Sequence, residues 1–385
     1  MNFNTVPFLF LFLPIVLLVF YNVPIWFRTA VLAVGSIIFY AVSGLVPAGL
    51  LVGTIAFGFA GAVLQRAIFH KSVLFLAMSV SIPLGVLFLF KYLNFTLTVF
   101  NADEPVWSFF STILQVTIPA GISFYTFQIV SYLVDVRDGR IASERSLVRF
   151  AAFISFFPQL IAGPIMLYSQ IQPQLIRIET ERYLSPNLSA GLKYLTVGLM
   201  YKIFFADILQ IMLTPGESIS DGLWLVFAYS FIIYFDFWGY SLMAIGIAKM
   251  FSIELPRNFR EPYLSHSPKD FWKRWHVTLS FWLRDYLYIR LGGKNKYVRN
   301  IAIVFIAAGI WHGAGWSFIV WGVYHGFFVI IYHATRKYWD AVPRLISISV
   351  TFLIVSFSWP LFFMSIGDYH TWRNRAEWQL SLSCE

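Results

Sequence analysis

Long apolar runs follow one another along almost the whole chain. They fall at roughly 7–20, 23–42, 45–64, 72–100, 107–133, 147–168, 188–213, 221–251, 298–312, 315–333 and 345–366. A helix needs about 20 apolar residues to cross the hydrocarbon core of a bilayer, and most of these runs approach that length. The sequence is 58% hydrophobic and 12% charged. An ordinary soluble domain carries about 25% charged residues, so a water-exposed surface cannot be built from this composition. A membrane β-barrel would alternate apolar and polar residues in segments of roughly ten, whereas these runs are continuous. The expectation is an all-α polytopic membrane protein with about 10–11 membrane helices. It reads as one integral-membrane domain over 1–366 with a polar tail over 367–385.

The first run, Pro7 to Phe20, has the length of a signal peptide, but residues 1–27 contain no Lys or Arg. No A-x-A-like site follows it, so it reads as an uncleaved membrane helix. Proline and glycine interrupt several later runs. Ile118-Pro-Ala-Gly121 and Phe156-Phe-Pro-Gln159 with Ala162-Gly-Pro164 are the best candidates for re-entrant or kinked elements. Broken helices at membrane depth are tolerated only where protein or a cavity surrounds them. Asp135 to Arg149 and Gln172 to Pro186 read as polar connections, as does Asp103-Glu-Pro105.

Net charge is +9 and unevenly placed. Between Lys249 and Arg299 stand eleven basic residues, opposed only by Glu254, Glu261, Asp270 and Asp285. Basic residues collect on the cytoplasmic side of a membrane, and they also attract anionic ligands. In this segment Trp272, Trp275, Leu279, Trp282, Leu283 and Tyr286 recur at spacings of three and four, which predicts amphipathic helix at the interface rather than a span. In so apolar a chain the basic region points to the membrane and an anionic small molecule, not to nucleic acid.

Histidine is the side chain best suited to exchange a proton near neutral pH. It is costly within a membrane, so an intramembrane histidine is a functional candidate. His312 follows a continuous apolar run and stands between Trp311 and Gly313, where neighbouring glycines would let another molecule approach. His276 follows Trp275 on the basic segment; it could bind substrate, orient a polar network or mark the interface. His325, thirteen residues beyond His312, is expected toward the opposite side of the bilayer. Asp236, in Tyr234-Phe-Asp-Phe-Trp-Gly239, needs a cationic partner, with an arginine the expected one. There is no G-x-S-x-G elbow, no H-E-x-x-H metal pattern, and the one cysteine, Cys384, lies in the polar tail. No metal and no tightly bound cofactor are expected.

Several motifs together resemble the membrane-bound O-acyltransferase family. They are Tyr234-Phe-Asp-Phe-Trp-Gly-Tyr-Ser241, Leu255-Pro-Arg-Asn-Phe259, Asp270-Phe-Trp-Lys-Arg-Trp-His-Val-Thr-Leu-Ser280, Trp282-Leu-Arg-Asp-Tyr-Leu-Tyr288 and Gly309-Ile-Trp-His-Gly-Ala314. The similarity covers about residues 30 to 365 and is nearest the bacterial alginate and peptidoglycan O-acetyltransferase branch. The resemblance implies membrane helices around a central tunnel in a bacterial inner membrane. It implies a cytoplasmic thioester donor, acetyl-CoA or an acyl-carrier protein, and a polysaccharide acceptor reached directly or through a periplasmic acetyltransferase partner. By position it makes His312 and His276 the catalytic residues. Trp311, Trp275, Arg274, Arg284 and Asp285, in the same motifs, are the expected substrate-binding residues. The D-alanyl transfer protein of teichoic acid modification is a related branch; a transporter or a non-enzymatic scaffold are the readings from other classes. The chain departs from the branch at Trp238, Leu242 and Arg290, and Phe362-Phe-Met364 leads into the polar tail where the branch usually continues through further membrane helices.

Overall fold

The computed structural model describes residues 2–99, 119–181, 187–212 and 219–363. The polar tail with Cys384, the connection at 103–105 and Ile118 lie outside the described residues. Among the described residues every regular element is a helix, and the protein is an all-α polytopic membrane protein. Six helices are long and apolar enough to cross a bilayer: Leu45–Ala67, Val73–Lys91, Leu188–Ile211, Gly222–Met250, Trp316–Trp339 and Arg344–Phe362. Two shorter apolar helices, Phe8–Asn22 and Ile25–Ala41, precede them. Large apolar side chains such as Phe10, Leu45 and Ile211 face outward, the opposite of a soluble surface and suited to lipid contact.

Chain contacts divide the protein into two compact units. One comprises the residues up to Thr196 with Leu242–Leu255; the other comprises Val197–Ser241 with the described residues from Pro256 onward. In the first unit the expected breaks are present and pack on each other. The run at 147–168 divides into Leu147–Ser155 and Phe157–Leu160, because Phe156 adopts an extended ψ of 104° and Pro158 can only stand in the first turn of the next helix. Gly121, with φ +73°, opens the helix Ile122–Asp138, and a Cβ there would lie 2.1 Å from the Leu160 carbonyl oxygen. The stretch expected as a polar connection after Gln172 is instead largely helical, Tyr168–Thr180. Its buried residues, Tyr168, Ile171, Leu175 and Ile178, recur at three- and four-residue steps, a single apolar stripe that its Gln, Glu and Arg residues obscure. The connection at 139–146 is held by Glu144, whose backbone N–H donates to the Tyr132 hydroxyl at 2.8 Å while its carboxylate accepts from the Arg145 and Ser146 amides and the Tyr168 hydroxyl.

The second unit contains both histidine motifs. Its helices Tyr297–His312 and Trp316–Trp339 run antiparallel, reversing through Gly313–Gly315, where Gly313 and Gly315 are extended. They meet at backbone distance. A Cβ on Gly309 would lie 2.2 Å from the Phe318 carbonyl oxygen, and one on Gly322 would lie 2.3 Å from that of Phe305. Small residues at such crossings let helices associate in a membrane, where lipid is as apolar as leucine and contact must come from packing. In the same unit Asp236 is buried and its ion-pair partner is Lys202 rather than an arginine. The Lys202 Nζ lies 2.7 Å from Asp236 and 2.8 Å from Asp207. Lys202 sits in a widened, π-type helical stretch, Tyr201–Asp207, where the helical turn departs from ordinary α geometry.

Gly309→Val should destabilise the protein by at least about 1–3 kcal/mol, the range for overpacking a close contact. Thermal unfolding in detergent, read by size-exclusion chromatography, should show this loss. Gly53→Val, at a glycine whose Cβ would meet nothing within 4 Å, should unfold with the parent.

Candidate active site

The chain reaches His276 through a short helix and an unusual turn. Ser267 caps the helix Pro268–Trp272, its hydroxyl accepting from the Asp270 amide at 3.1 Å, with Pro268 at the first helical position. The extended stretch before it is braced against the segment that follows. The Arg260 amide donates to the Arg274 carbonyl at 2.9 Å, and the Val277 amide donates to the Asn258 carbonyl at 2.9 Å. Between these two bonds His276 adopts φ +42°, ψ +54°, a left-handed conformation that costs a residue with a side chain about 1–3 kcal/mol. That turn ends one helical piece and starts the next, Val277–Leu283. The expected amphipathic stretch is therefore two short helices joined at His276, followed by the wider turn Arg284–Tyr288.

His276 is 1% exposed. Its Nδ1 lies 3.4 Å from the Asn258 Oδ1, which also accepts from the Thr278 hydroxyl at 2.7 Å and the Thr278 amide at 3.3 Å. Phe237 meets the imidazole edge-on, with ring centres 4.9 Å apart. Burial strips solvation from the charged form and pushes the His276 imidazole down to about 3.

His312 is the last residue of its helix and half-buried. Its ring centre lies 6.4 Å from that of His276. Trp311 stands beside both, 4.9 Å from His312 and 5.9 Å from His276. Trp321 and Phe362 complete the aromatic surround of His312, each at 5.1 Å. The neighbouring glycines serve packing rather than ligand approach: Gly309 makes the helix crossing, and a Cβ on Gly313 would lie 2.0 Å from the Phe318 ring. His325 is not across the bilayer from His312. The reversal at Gly313–Gly315 brings the second helix back alongside the first, so that one indole, Trp321, separates the two histidines, 5.1 Å from His312 and 4.7 Å from His325. The Ser358 hydroxyl donates to the Val355 carbonyl at 2.6 Å, so His325 donates from Nε2 to Ser358 at 2.9 Å.

A cavity of about 920 Å³ opens beside this cluster. Lys269, Lys273, Arg284, Lys294 and Arg336 line it against a single carboxylate, Asp270. Its other walls are aromatic and aliphatic, among them Tyr297 and His333, whose rings lie 4.0 Å apart. Neither candidate histidine lines it. Trp272, Phe305 and Ala308 do, and Ala308 precedes His312 by one helical turn, about 6 Å of rise.

The membrane-bound O-acyltransferase family profile matches residues 140–366, which contain every residue of the histidine cluster. The chain belongs to the membrane-bound O-acyltransferase family. It is 36% identical to a protein named probable alginate O-acetylase from Azotobacter vinelandii, over 94% of this chain and 75% of that one. It is 35% identical to the peptidoglycan O-acetyltransferase of Helicobacter pylori, over 94% of this chain and 76% of that one. A teichoic acid D-alanyltransferase of Bacillus subtilis is 31% identical over 63% of this chain and 68% of its own. Membership makes the chain an O-acyltransferase.

The structure of this acyltransferase distributes the five expected substrate-binding residues differently. Trp311 joins the two histidines. Arg284 lines the cavity, its guanidinium paired with Asp285 at 2.6 Å and lying over the Phe281 ring at 4.6 Å. Asp285 reaches the site only through that pair. Arg274 pairs with Asp270 at 3.0 Å, and Trp275 packs in an aromatic core with Phe259, Phe271 and Trp359. Four residues around the histidines escape sequence reasoning: Asn258, Phe237, Trp321 and Phe362. Asn258 and Phe237 lie in matching motifs, so a signal for them exists; Trp321 and Phe362 enter only through the helix reversal.

The buried neutral His276 makes stability depend on pH. In the unfolded chain the ring titrates near 6.5 and in the folded protein near 3. Its stabilisation is complete above pH 6.5 and is lost as pH falls through that window, because the unfolded state binds the proton first. Thermal scans from pH 7 to pH 4 should show a smaller fall in midpoint for His276→Gln than for the parent.

Proposed function

We propose that this acyltransferase moves an acyl group, acetyl above all, from a cytoplasmic thioester to hydroxyls of an extracytoplasmic polysaccharide. The acceptor is alginate-like or peptidoglycan, acylated directly or through a periplasmic partner, and the enzyme acts in a bacterial inner membrane. The observation that carries this reading is the clustering of two histidines, one half-buried and one fully buried, with Trp311 against both, in a chain with relatives named for O-acetyl transfer. His312 removes the proton from the acceptor hydroxyl as that oxygen attacks the thioester carbonyl. The tetrahedral oxyanion then collapses, the carbon–sulfur bond breaks, and the thiol leaves with the proton held on His312. General base catalysis of this kind contributes about 10²–10⁴-fold, and holding the two substrates in line supplies more. His276, neutral and rigidly held, seats the reacting hydroxyl. Neither step uses a thiol of the enzyme.

The basic cavity suits the donor. Acetyl-CoA and the phosphopantetheine arm of a carrier protein both bear phosphates, which lysine and arginine clusters attract. The basic segment then faces the cytoplasm, in keeping with the distribution of positive charge in membrane proteins.

Three measurements test this reading. His312→Ala should remain monodisperse and lose acyl transfer by at least about 10²-fold; wild-type transfer in that variant would remove its assignment as base. Offering purified enzyme acetyl and D-alanyl thioesters in parallel, with polysaccharide acceptor, separates the acetyl reading from D-alanyl transfer. Lys269→Gln with Lys273→Gln should raise the donor KM with little change in kcat, more so at low ionic strength, because exposed charges act over roughly a Debye length. An unchanged donor KM would place the donor elsewhere.

A further inference from the structure

We infer that Asn258 is a positioning residue that sets the tautomer of His276, fixing the proton on Nδ1 so that Nε2 presents its lone pair to the reacting hydroxyl. The inference rests on the proposed role of His276 and adds to it the residue on which that role depends.

The hydrogen inventory carries it. Asn258 is fully buried. Its side-chain oxygen, not its nitrogen, must face Thr278, because the Thr278 backbone N–H points at it from 3.3 Å and can only donate. Turning the amide over would set its NH₂ group against that N–H. The orientation holds even though the Asn258 Nδ2 has no hydrogen-bond partner among the described residues, so it reflects demand from the Thr278 side. The same Oδ1 lies 3.4 Å from the His276 Nδ1. An amide oxygen accepts and never donates, so that contact is a hydrogen bond only when Nδ1 carries a hydrogen. In a neutral imidazole the other nitrogen is then the acceptor.

Backbone geometry reinforces the arrangement. The Val277 amide donates to the Asn258 carbonyl, which ties the two residues by main chain as well as side chain. The left-handed turn at His276 is held between that bond and the one from Arg260 to Arg274. Phe237 closes against the ring, so the imidazole has one packed orientation with its Nδ1 edge toward Asn258. A neutral histidine with a fixed lone pair can take a hydrogen bond from a sugar hydroxyl and hold that oxygen for the base. The other tautomer would present an N–H to it and reverse the polarity of the seat.

The test reads the tautomer without relying on activity. In protein labelled with ¹⁵N-histidine, the signals lost in His276→Gln identify the ring. The parent should show a protonated-type shift at Nδ1 and a lone-pair-type shift at Nε2. Asn258→Asp keeps an acceptor oxygen and should preserve this pattern, whereas Asn258→Leu, of similar volume, should move it toward protonated Nε2. In transfer assays Asn258→Leu should lower kcat/KM by roughly 10–10²-fold, the scale of loss on removing a partner that orients a metal-bound histidine. It should lower it no further in a background of His276→Ala, since the two residues act as one unit. A protonated Nε2 in the parent overturns the inference whether or not any variant folds, as do equal and additive losses in the double variant. If His276→Ala alone keeps full activity while the tautomer pattern is as expected, the proposed role of His276 falls and the link between Asn258 and the ring stands.

Discussion

Gly309 and Gly322 have no side chains, and the helices that contain them meet there at backbone distance. The placement of His312 depends on that contact. One turn beyond Gly309 the helix ends at His312, and one residue before Gly322 stands Trp321, whose ring packs on the same imidazole. A side chain at either glycine would push the helices apart and move His312 from Trp321 together. In a bilayer no hydrophobic force would draw them back, because lipid solvates apolar surface as well as protein does.

Several polar groups within this apolar unit are held by partners of their own. Asp236 has Lys202, His325 has Ser358, and Asn258 has Thr278 and the His276 ring. Each pairing fixes an orientation as it offsets the cost of burial. The two histidines of the cluster consequently differ in environment. His276 is enclosed and braced, whereas His312 ends its helix half-buried beside a basic cavity whose wall lies one turn away. That asymmetry suits a division between a residue that holds and a residue that exchanges a proton.

The membrane class, the breaks near Gly121 and Pro158, and the motifs bearing His276 and His312 were legible in the sequence. Long apolar runs have few alternatives, and proline and glycine act on their own neighbours. The helix Tyr168–Thr180 was hidden because its apolar stripe is narrow and its polar residues are many. The position of His325 was misplaced because thirteen residues along a continuous helix span much of a bilayer, whereas a reversal at two glycines returns the chain to its starting depth. The lysine partner of Asp236 lies more than thirty residues away, beyond the reach of any local pattern.

By itself the sequence determined what is local or compositional: that the chain lives in a membrane, that it is helical, and which two histidines merit attention. The tertiary structure decided what depends on distance. It brought His276 within 6.4 Å of His312 and put Asn258 against the ring eighteen residues away. It set five cations around one cavity and only one of the five expected substrate-binding residues, Trp311, against both histidines. The physical reason is that hydropathy and helix breaking act over a few residues and can be read in order. A tautomer, an ion pair or a helix crossing requires groups from separate segments, and their meeting is set by how whole helices pack.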